Sequence, residues 1–192
     1  MAKGRSFIVD VGTYLGGSAE VFLGAMPDDG KLVTVDNLAG LLHGGMPAGN
    51  GPLSSPAMTM IYALGRLASF SGRFVSMIGD SRTAAAMLPK ASADLVFIDA
   101  GHDYANCKAD IEAWLPVVKP NGMLVGHDFE KRGPASLSAE EIWARSEKDW
   151  DQQTGLHCGV IRAVMESFTN VMLSKRDDST VWVAQPSWKR GL

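Results

Sequence analysis

The stretch that most restricts the architecture is residues 94–129, DLVFIDAGHDYANCKADIEAWLPVVKPNGMLVGHDF, which reads as strand, loop, helix, strand. Leu95 to Ile98 is a continuous apolar run, the mark of a parallel strand buried on both faces. Asp103 is placed to cap a helix over 104–118, in which Ile111, Trp114, Leu115 and Val118 recur at helical spacing. Pro120-Asn121-Gly122 should break that helix and turn the chain into a second apolar run, 123–125. A unit of this length joins two parallel strands by a right-handed crossover. Asp99 and His102 then come just after one strand, and His127 and Asp128 after the next, at the same carboxyl edge of the sheet. Open α/β sheets bind their ligands at that edge. Two carboxylates and two imidazoles meeting there form the candidate reaction centre.

The rest of the chain repeats the alternation. SFIVDV (6–11) is a first strand, followed by a glycine-bearing turn (12–17) and a helix (18–26). A second strand over 31–35 ends at Asp36. Residues 37–54 are rich in glycine, carry Pro47 and Pro52 and lack periodicity, so a lid loop is expected there. Ser55-Pro56 opens a helix to about Phe70, a third strand covers 73–78, and a short helix comes after Gly79-Asp80-Ser81. After the central unit, Ser138 to Glu141 reads as a capping box for a helix to about Trp150, and 159–168 as a further helix. Segments 171–174 and 180–184 should pair as an antiparallel hairpin. The expectation is one α/β domain over 1–192: a Rossmann-like three-layer sandwich whose seven-stranded sheet is mostly parallel and closes in an antiparallel C-terminal hairpin.

Strand, glycine turn, helix is the general apparatus for holding a polar cofactor at a helix N-terminus. A dinucleotide fingerprint needs a middle glycine so that backbone can approach a pyrophosphate, and Tyr14 stands at that position between Gly12 and Gly17. No phosphate loop of the GK[ST] type is present. A nucleoside without a pyrophosphate suits the turn better. Asp36 at the second strand's tip can accept both ribose hydroxyls, and Asp10 could meet an amino group near the turn. The plain alternative is that glycines after a strand merely permit a tight turn. Gly79-Asp80-Ser81 at a third strand end weighs for the cofactor.

The chain resembles class I S-adenosylmethionine-dependent methyltransferases, and within them the small-molecule O-methyltransferase group that includes macrolide-sugar methyltransferases and cephalosporin-hydroxylase-like proteins. The stretches that carry the resemblance are IVDVGTYLGGSAEVFL, VTVDN, IGDSRTAAAMLP, the 94–129 unit and GVIRAVMESF. The resemblance implies that Asp10, Gly12 and Gly16 cradle the methionine part, that Asp36 holds the ribose and that Asp80 and Ser81 meet adenine. Tyr14, Ser18, Asn37, Gly79 and Asp99 complete the candidate cofactor set. Some members hold Mg²⁺ with acids at the fourth and fifth strand ends, which implies Asp99 and Asp128. Metal-using relatives often carry a further acid beside the second carboxylate, where this chain has His127, and helices ahead of the first strand that cover the acceptor.

Methyl transfer from a sulfonium is an in-line displacement, so the enzyme mainly positions and desolvates the reactants. A hydroxyl acceptor needs its proton removed or its pKa lowered. A neutral imidazole could do the first, and Mg²⁺ on Asp99 and Asp128 the second. His102 is favoured as base over His127 because only one short loop separates it from Asp99. Asp128 could instead cap the next segment, and His127 could hydrogen-bond within the rim. His43 and His157 read as ordinary loop or cap residues, Tyr104 as a wall of the site or a staple of the helix start, and Trp143 and Trp150 as one face of a helix. The expected partner is a small-molecule hydroxyl acceptor. Metal-independent transfer and a non-catalytic cofactor-binding module are the alternatives.

Composition narrows the field further. A net charge of −3 argues against a nucleic-acid footprint. Two cysteines argue against a disulfide framework and fit a cytoplasmic protein. No run approaches the roughly 20 apolar residues of a membrane span. The bare N-terminal edge leaves room for a second copy in a homodimer.

Overall fold

The computed structural model describes residues 1–38, 55–174 and 179–190. Strands and helices alternate as β1 (Phe7–Val11), α1 (Gly17–Ala25), β2 (Lys31–Asp36), α2 (Pro56–Leu67), β3 (Phe74–Ile78), α3 (Ser81–Met87), β4 (Ala93–Ile98), α4 (Tyr104–Trp114) and β5 (Val118–Gly126). Three helices come next, α5 (Arg132–Ser136), α6 (Ala139–Trp143) and α7 (Cys158–Ser167), and then β6 (Met172–Leu173) and β7 (Trp182–Ala184). The sheet runs β3-β2-β1-β4-β5-β7-β6. Its first five strands are parallel, and β7 lies antiparallel to both β5 and β6. This is the mostly parallel seven-stranded sandwich with an antiparallel close that the sequence implied.

Alternation along each central strand builds the two apolar layers. Ile8, Leu95 and Phe97 pack with Ala19 and Leu23 of α1 and with Leu67. Val9, Val96 and Ile98 pack on the opposite side with Ile111, Trp114 and the α7 residues Ile161 and Val164. Trp114 is fully buried and satisfies its ring N–H on Ser81 Oγ at 2.8 Å. The strand order changes direction between β1 and β4, and such switch points open a crevice at the carboxyl edge.

Several boundaries depart from the sequence reading. Pro120-Asn121-Gly122 does not turn the chain: it runs within β5, where the register slips between the Ala93–Val118 and Leu95–Met123 pairs. The irregularity accommodates a proline that has no N–H to give, and it lets Lys119 Nζ reach Asp94 Oδ1 at 2.7 Å. The helix expected over 104–118 stops at Trp114 and tightens into a 3₁₀ turn at Leu115–Val117, where Pro116 cannot supply an α-helical N–H. The helix opened by the Ser138–Glu141 capping box is real but ends at Trp143, not Trp150. Ser146 Oγ donates back to the Trp143 carbonyl at 2.8 Å, and the Ser146 carbonyl takes the Tyr104 N–H at the start of α4 at 2.8 Å. That tertiary demand pulls 144–151 out of helix. Helix α5, interrupted by Gly133 and Pro134 in sequence, was not anticipated. Of the expected lid, residues 39–54, with His43, lie outside the described residues.

Candidate active site

The first turn is built by backbone more than by side chains. Gly12, at φ +86°, gives its N–H to the Val35 carbonyl at 2.9 Å and lies against the Asp99 backbone, so nothing larger fits. Tyr14 also adopts a left-handed φ of +46° and donates its N–H to Asp36 Oδ2 at 2.7 Å. Asp36 Oδ1 takes the Leu38 N–H at 2.6 Å. One carboxylate thus ties the turn after β1 to the chain leaving β2.

Beside this turn opens a cavity of about 640 Å³, walled by Gly12, Tyr14, Asp36, Asn37, Gly79, Asp80, Ser81 and Asp99 among others. That volume suits a nucleoside-sized ligand. Eight of the sequence-derived cofactor residues therefore share one wall. Among the described residues, six acidic side chains line the cavity (Asp36, Asp80, Asp99, Asp103, Asp110 and Asp149) against one guanidinium, Arg82. Ser81 spends its oxygen on Trp114, and Asp80 caps α3 through Thr83 N–H at 3.0 Å while pairing with Arg82 at 2.6 Å. Arg82, then the Thr83 N–H, hold the Asp80 carboxyl down at about 2.

Asp10, Gly16 and Ser18 stand behind the turn and not on that wall. Asp10 is fully buried; its Oδ2 accepts from Ser18 Oγ at 2.9 Å, and among the described residues its Oδ1 has no hydrogen-bond partner. Burial pushes its carboxyl up to about 7. Between its unfolded value, near 4, and 7, the folded state holds a proton that the unfolded state has released, so this group lowers stability as pH rises through that window. Asp10→Asn is therefore expected to melt higher than the unmodified protein at pH 7.5 relative to pH 4.5, by on the order of 2–4 kcal/mol of differential stability. Thermal unfolding of both proteins at the two pH values would show it, and equal shifts would contradict it.

At the far end of the cavity β4 and β5 deliver their rim residues side by side, because Ile98 pairs with Gly126. His102 Nδ1 lies 3.1 Å from Asp149 Oδ1, which also takes the His102 backbone N–H at 3.0 Å. His102 Nε2 sits 3.0 Å from Asp128 Oδ2 and 3.6 Å from Asp99 Oδ1, but out of hydrogen-bonding alignment, so among the described residues this buried atom has no hydrogen-bond partner. His127 Nδ1 is 2.9 Å from Asp128 Oδ1, and its Nε2 is 3.0 Å from Thr180 Oγ1. Burial opposes charge on His102, but Asp128, Asp149 and Asp99 outweigh it and push its pKa up to about 12. Burial likewise opposes charge on Asp128, yet His102, His127 and His157 hold its carboxyl well below the ordinary range. Asp128 itself has a left-handed φ of +60°. Strain at a non-glycine position of this kind concentrates at functional sites.

The structure adds residues that pattern did not single out. His157, read as an ordinary loop or cap residue, does stand at the N-cap position of α7, but its side chain makes no cap bond and brings its ring to 4.8 Å from His102 and its Nδ1 to 2.6 Å from Glu130 and 3.6 Å from Asp128. Trp150 packs on His157 at 4.6 Å between ring centroids. Asp149 arrives through the irregular 144–151 segment. Asp103, Asn106 and Asp110 line the cavity at i, i+3 and i+7 of one helical face, a polar stripe that the spacing could have revealed. Tyr104 is neither wall nor staple: its hydroxyl donates to Glu166 at 2.6 Å and its ring stacks under Arg162 at 3.8 Å, in the α4–α7 interface. Cys107 and Cys158 are buried and unbridged.

A family model described as a methyltransferase domain matches residues 9–129, from β1 through the rim beyond β5. The chain belongs to the methyltransferase-domain family. Solved methyltransferases share its fold. The O-methyltransferase from Bacillus cereus in complex with SAH superposes with a TM-score of 0.62 at 17% identity, over 95% of this chain and 74% of that one. TomG from Streptomyces achromogenes, an O-methyltransferase of tomaymycin synthesis in complex with SAM, gives 0.59 at 16% over 94% and 73%. The SAH-bound methyltransferase PaMTH1 of Podospora anserina gives 0.61 at 18% over 97% and 73%. No curated protein sequence matches this methyltransferase. The fold is that of the class I S-adenosylmethionine-dependent enzymes, as the sequence motifs implied. Among the described residues no helix is long and apolar enough to cross a membrane.

Proposed function

We propose that this methyltransferase moves the methyl group of S-adenosylmethionine to a hydroxyl of a small molecule, with His102 as the base. The observation that carries the reading is the junction at Asp99, which belongs at once to the carboxylate-lined cavity and to the imidazole rim. S-adenosylmethionine is a sulfonium cation with an ammonium group, and a cavity of one dominant sign concentrates such a ligand. Asp36 is the ribose acceptor in this reading, and Asp80 and Arg82 bound the adenine end.

In the transfer, the acceptor oxygen attacks the methyl carbon in line with the carbon–sulfur bond. A carbon–oxygen bond forms, the carbon–sulfur bond breaks, and sulfur keeps the electron pair as a neutral thioether. The hydroxyl proton passes to His102 Nε2 and then to solvent. His102 must first be neutral, and the carboxylates around it favour the charged ring. A cationic sulfonium held in this cavity would supply a like charge, and a like charge lowers the pKa of an imidazole such as His102.

Magnesium, which the family resemblance implies, fits this rim poorly. Mg²⁺ asks for oxygen ligands in near-octahedral array, whereas Asp99 and Asp128 share their space with the nitrogens of His102 and His127.

Calorimetric titration of the purified protein with S-adenosylmethionine tests the reading. Asp36→Ala removes a charged hydrogen-bond acceptor for which about 1.5–3 kcal/mol is typical, so the affinity should fall about 10- to 100-fold. Absence of binding by the unmodified protein would sink the proposal. Binding without transfer to any of a panel of hydroxyl acceptors would favour a non-catalytic module.

A further inference from the structure

Asp149 reaches His102 from residues 144–150, a segment with no helix or strand of its own. A guanidinium on the following helix holds that segment in place. Arg162 of α7 gives Nη1 to Ser146 Oγ at 3.0 Å and Nε to Glu166 Oε1 at 3.1 Å, and its guanidinium lies 3.8 Å from the centroid of the Tyr104 ring. Glu166 Oε2 in turn accepts from the Tyr104 hydroxyl at 2.6 Å. Ser146 is fully buried, and its polar groups are all engaged. Its Oγ donates to the Trp143 carbonyl at 2.8 Å, its N–H reaches the same carbonyl at 3.3 Å, and its own carbonyl takes the Tyr104 N–H at 2.8 Å. Three residues on, Asp149 Oδ1 takes the His102 N–H at 3.0 Å and stands 3.1 Å from Nδ1. Residues 102–104 are thus pinned to 146–149 at both ends. Arg162 ties the Ser146 end to α4 and α7 and does not itself line the cavity.

We infer that Arg162 is a positioning residue for methyl transfer: through Ser146 it sets Asp149 against His102 and so fixes the direction in which the imidazole meets the acceptor hydroxyl. Arginine suits the task because one planar fork bonds Ser146 and Glu166 while its face stacks on Tyr104, which a lysine ammonium cannot reproduce. A segment with no ladder of hydrogen bonds needs such an anchor, since a small displacement of a catalytic group is costly in rate. Glu147 meets Arg162 only at 3.7 Å from an exposed carboxylate and has no part in the chain. The inference rests on the reading of His102 as the base. The link from Arg162 to Asp149 is measurable without cofactor or acceptor, so the two can fail separately.

The test is amide hydrogen exchange of the unliganded protein, followed by NMR at the His102 N–H and the Tyr104 N–H. The Asp99 N–H, which donates to the Val11 carbonyl at 2.8 Å, serves as the reference for global opening. Arg162→Gln and Ser146→Ala should each speed exchange at His102 about tenfold or more relative to Asp99, the usual weight of a hydrogen bond to a charged group. Ser146→Ala leaves Arg162 on Tyr104 and Glu166, so it reads the link even if Arg162→Gln folds poorly. Glu147→Gln should change nothing. In an Asp149→Ala background, Arg162→Gln should add no further change at His102 while still acting at Tyr104. On a hydroxyl acceptor that the unmodified protein methylates, Arg162→Gln should lower kcat about 10- to 100-fold with KM and cofactor affinity within a few-fold. It should cost nothing more once His102→Gln is present. Exchange at His102 that keeps step with Asp99, an Arg162→Gln effect that persists at His102 without Asp149, or a rise in KM at constant kcat would overturn the assignment. A His102→Gln protein that transfers at the full rate would sink the base reading and the catalytic consequence with it, even where the exchange result holds.

Discussion

Gly12→Ala is expected to abolish cofactor binding and to lower the melting temperature by about 10 °C. Two costs combine. The residue sits at φ +86°, a conformation that costs a side-chain-bearing residue roughly 1–3 kcal/mol. The added methyl would also overlap the Asp99 carbonyl, a backbone atom that cannot rotate aside. Relief requires the ends of β1 and β4 to part, and these ends carry the cavity wall and the rim. A total of about 3–5 kcal/mol corresponds to a shift of that size in a chain of this length. Gly24→Ala is the matched control: it lies within α1, where an added methyl meets nothing. There, about 0.5–1 kcal/mol of stabilisation is expected from helix propensity. Differential scanning calorimetry of the two variants compares them directly, and a Gly12→Ala protein that melts and binds normally would refute the close-packed turn.

His102→Gln should cut the transfer rate about 10²–10⁴-fold, the usual worth of a general base, while cofactor affinity stays within a few-fold. The pH dependence gives a sharper test. An essential base must be neutral, and the carboxylates of Asp128, Asp149 and Asp99 keep His102 charged, so the rate should still be rising above pH 8. Asp149→Asn removes one of these negative charges without touching the others. The pKa of His102 then falls, and the rising limb moves to lower pH by about 1–2 units, even if the maximal rate drops. A limb that stays in place would show that another group is the base. Stability responds with its own sign. Because the folded pKa of His102 is raised, its contribution is complete below the unfolded value near 6.5 and is lost as pH climbs toward about 12.

Which parts of the molecule were legible in the sequence depends on which interactions are local. The strands β1, β2, β4 and the end of β5 announce themselves because each is a short apolar run buried on both faces. Their parallel order places Asp99 and His102 beside His127 and Asp128, so the heart of the rim could be assigned from spacing. The cap residues Ser55, Asp103 and Ser138 were equally readable, since each bonds only three residues ahead; Asp80 caps α3 in the same way, a role its reading as an adenine contact did not include. The segment 128–157 was not. Its helices are five residues long, too short for a periodicity, and where the chain goes between them is settled by distant partners. Ser146 answers an orphan N–H of α4, and Asp149 answers His102, 47 residues away. The capping box fixed where α6 begins and carried no information on where it ends. The proline in β5 misled for a related reason: a local rule against strand was overridden by a register irregularity that only the neighbouring strand reveals.

The single carboxylate of Asp128 stands within 3.6 Å of nitrogens from three histidines, His102, His127 and His157. The rings of His102 and His127 are therefore not independent titrating groups: a proton gained by one repels charge on the other and offsets the carboxylate on which both depend. Substitutions at the three positions will combine non-additively, because all three rings meet one carboxylate.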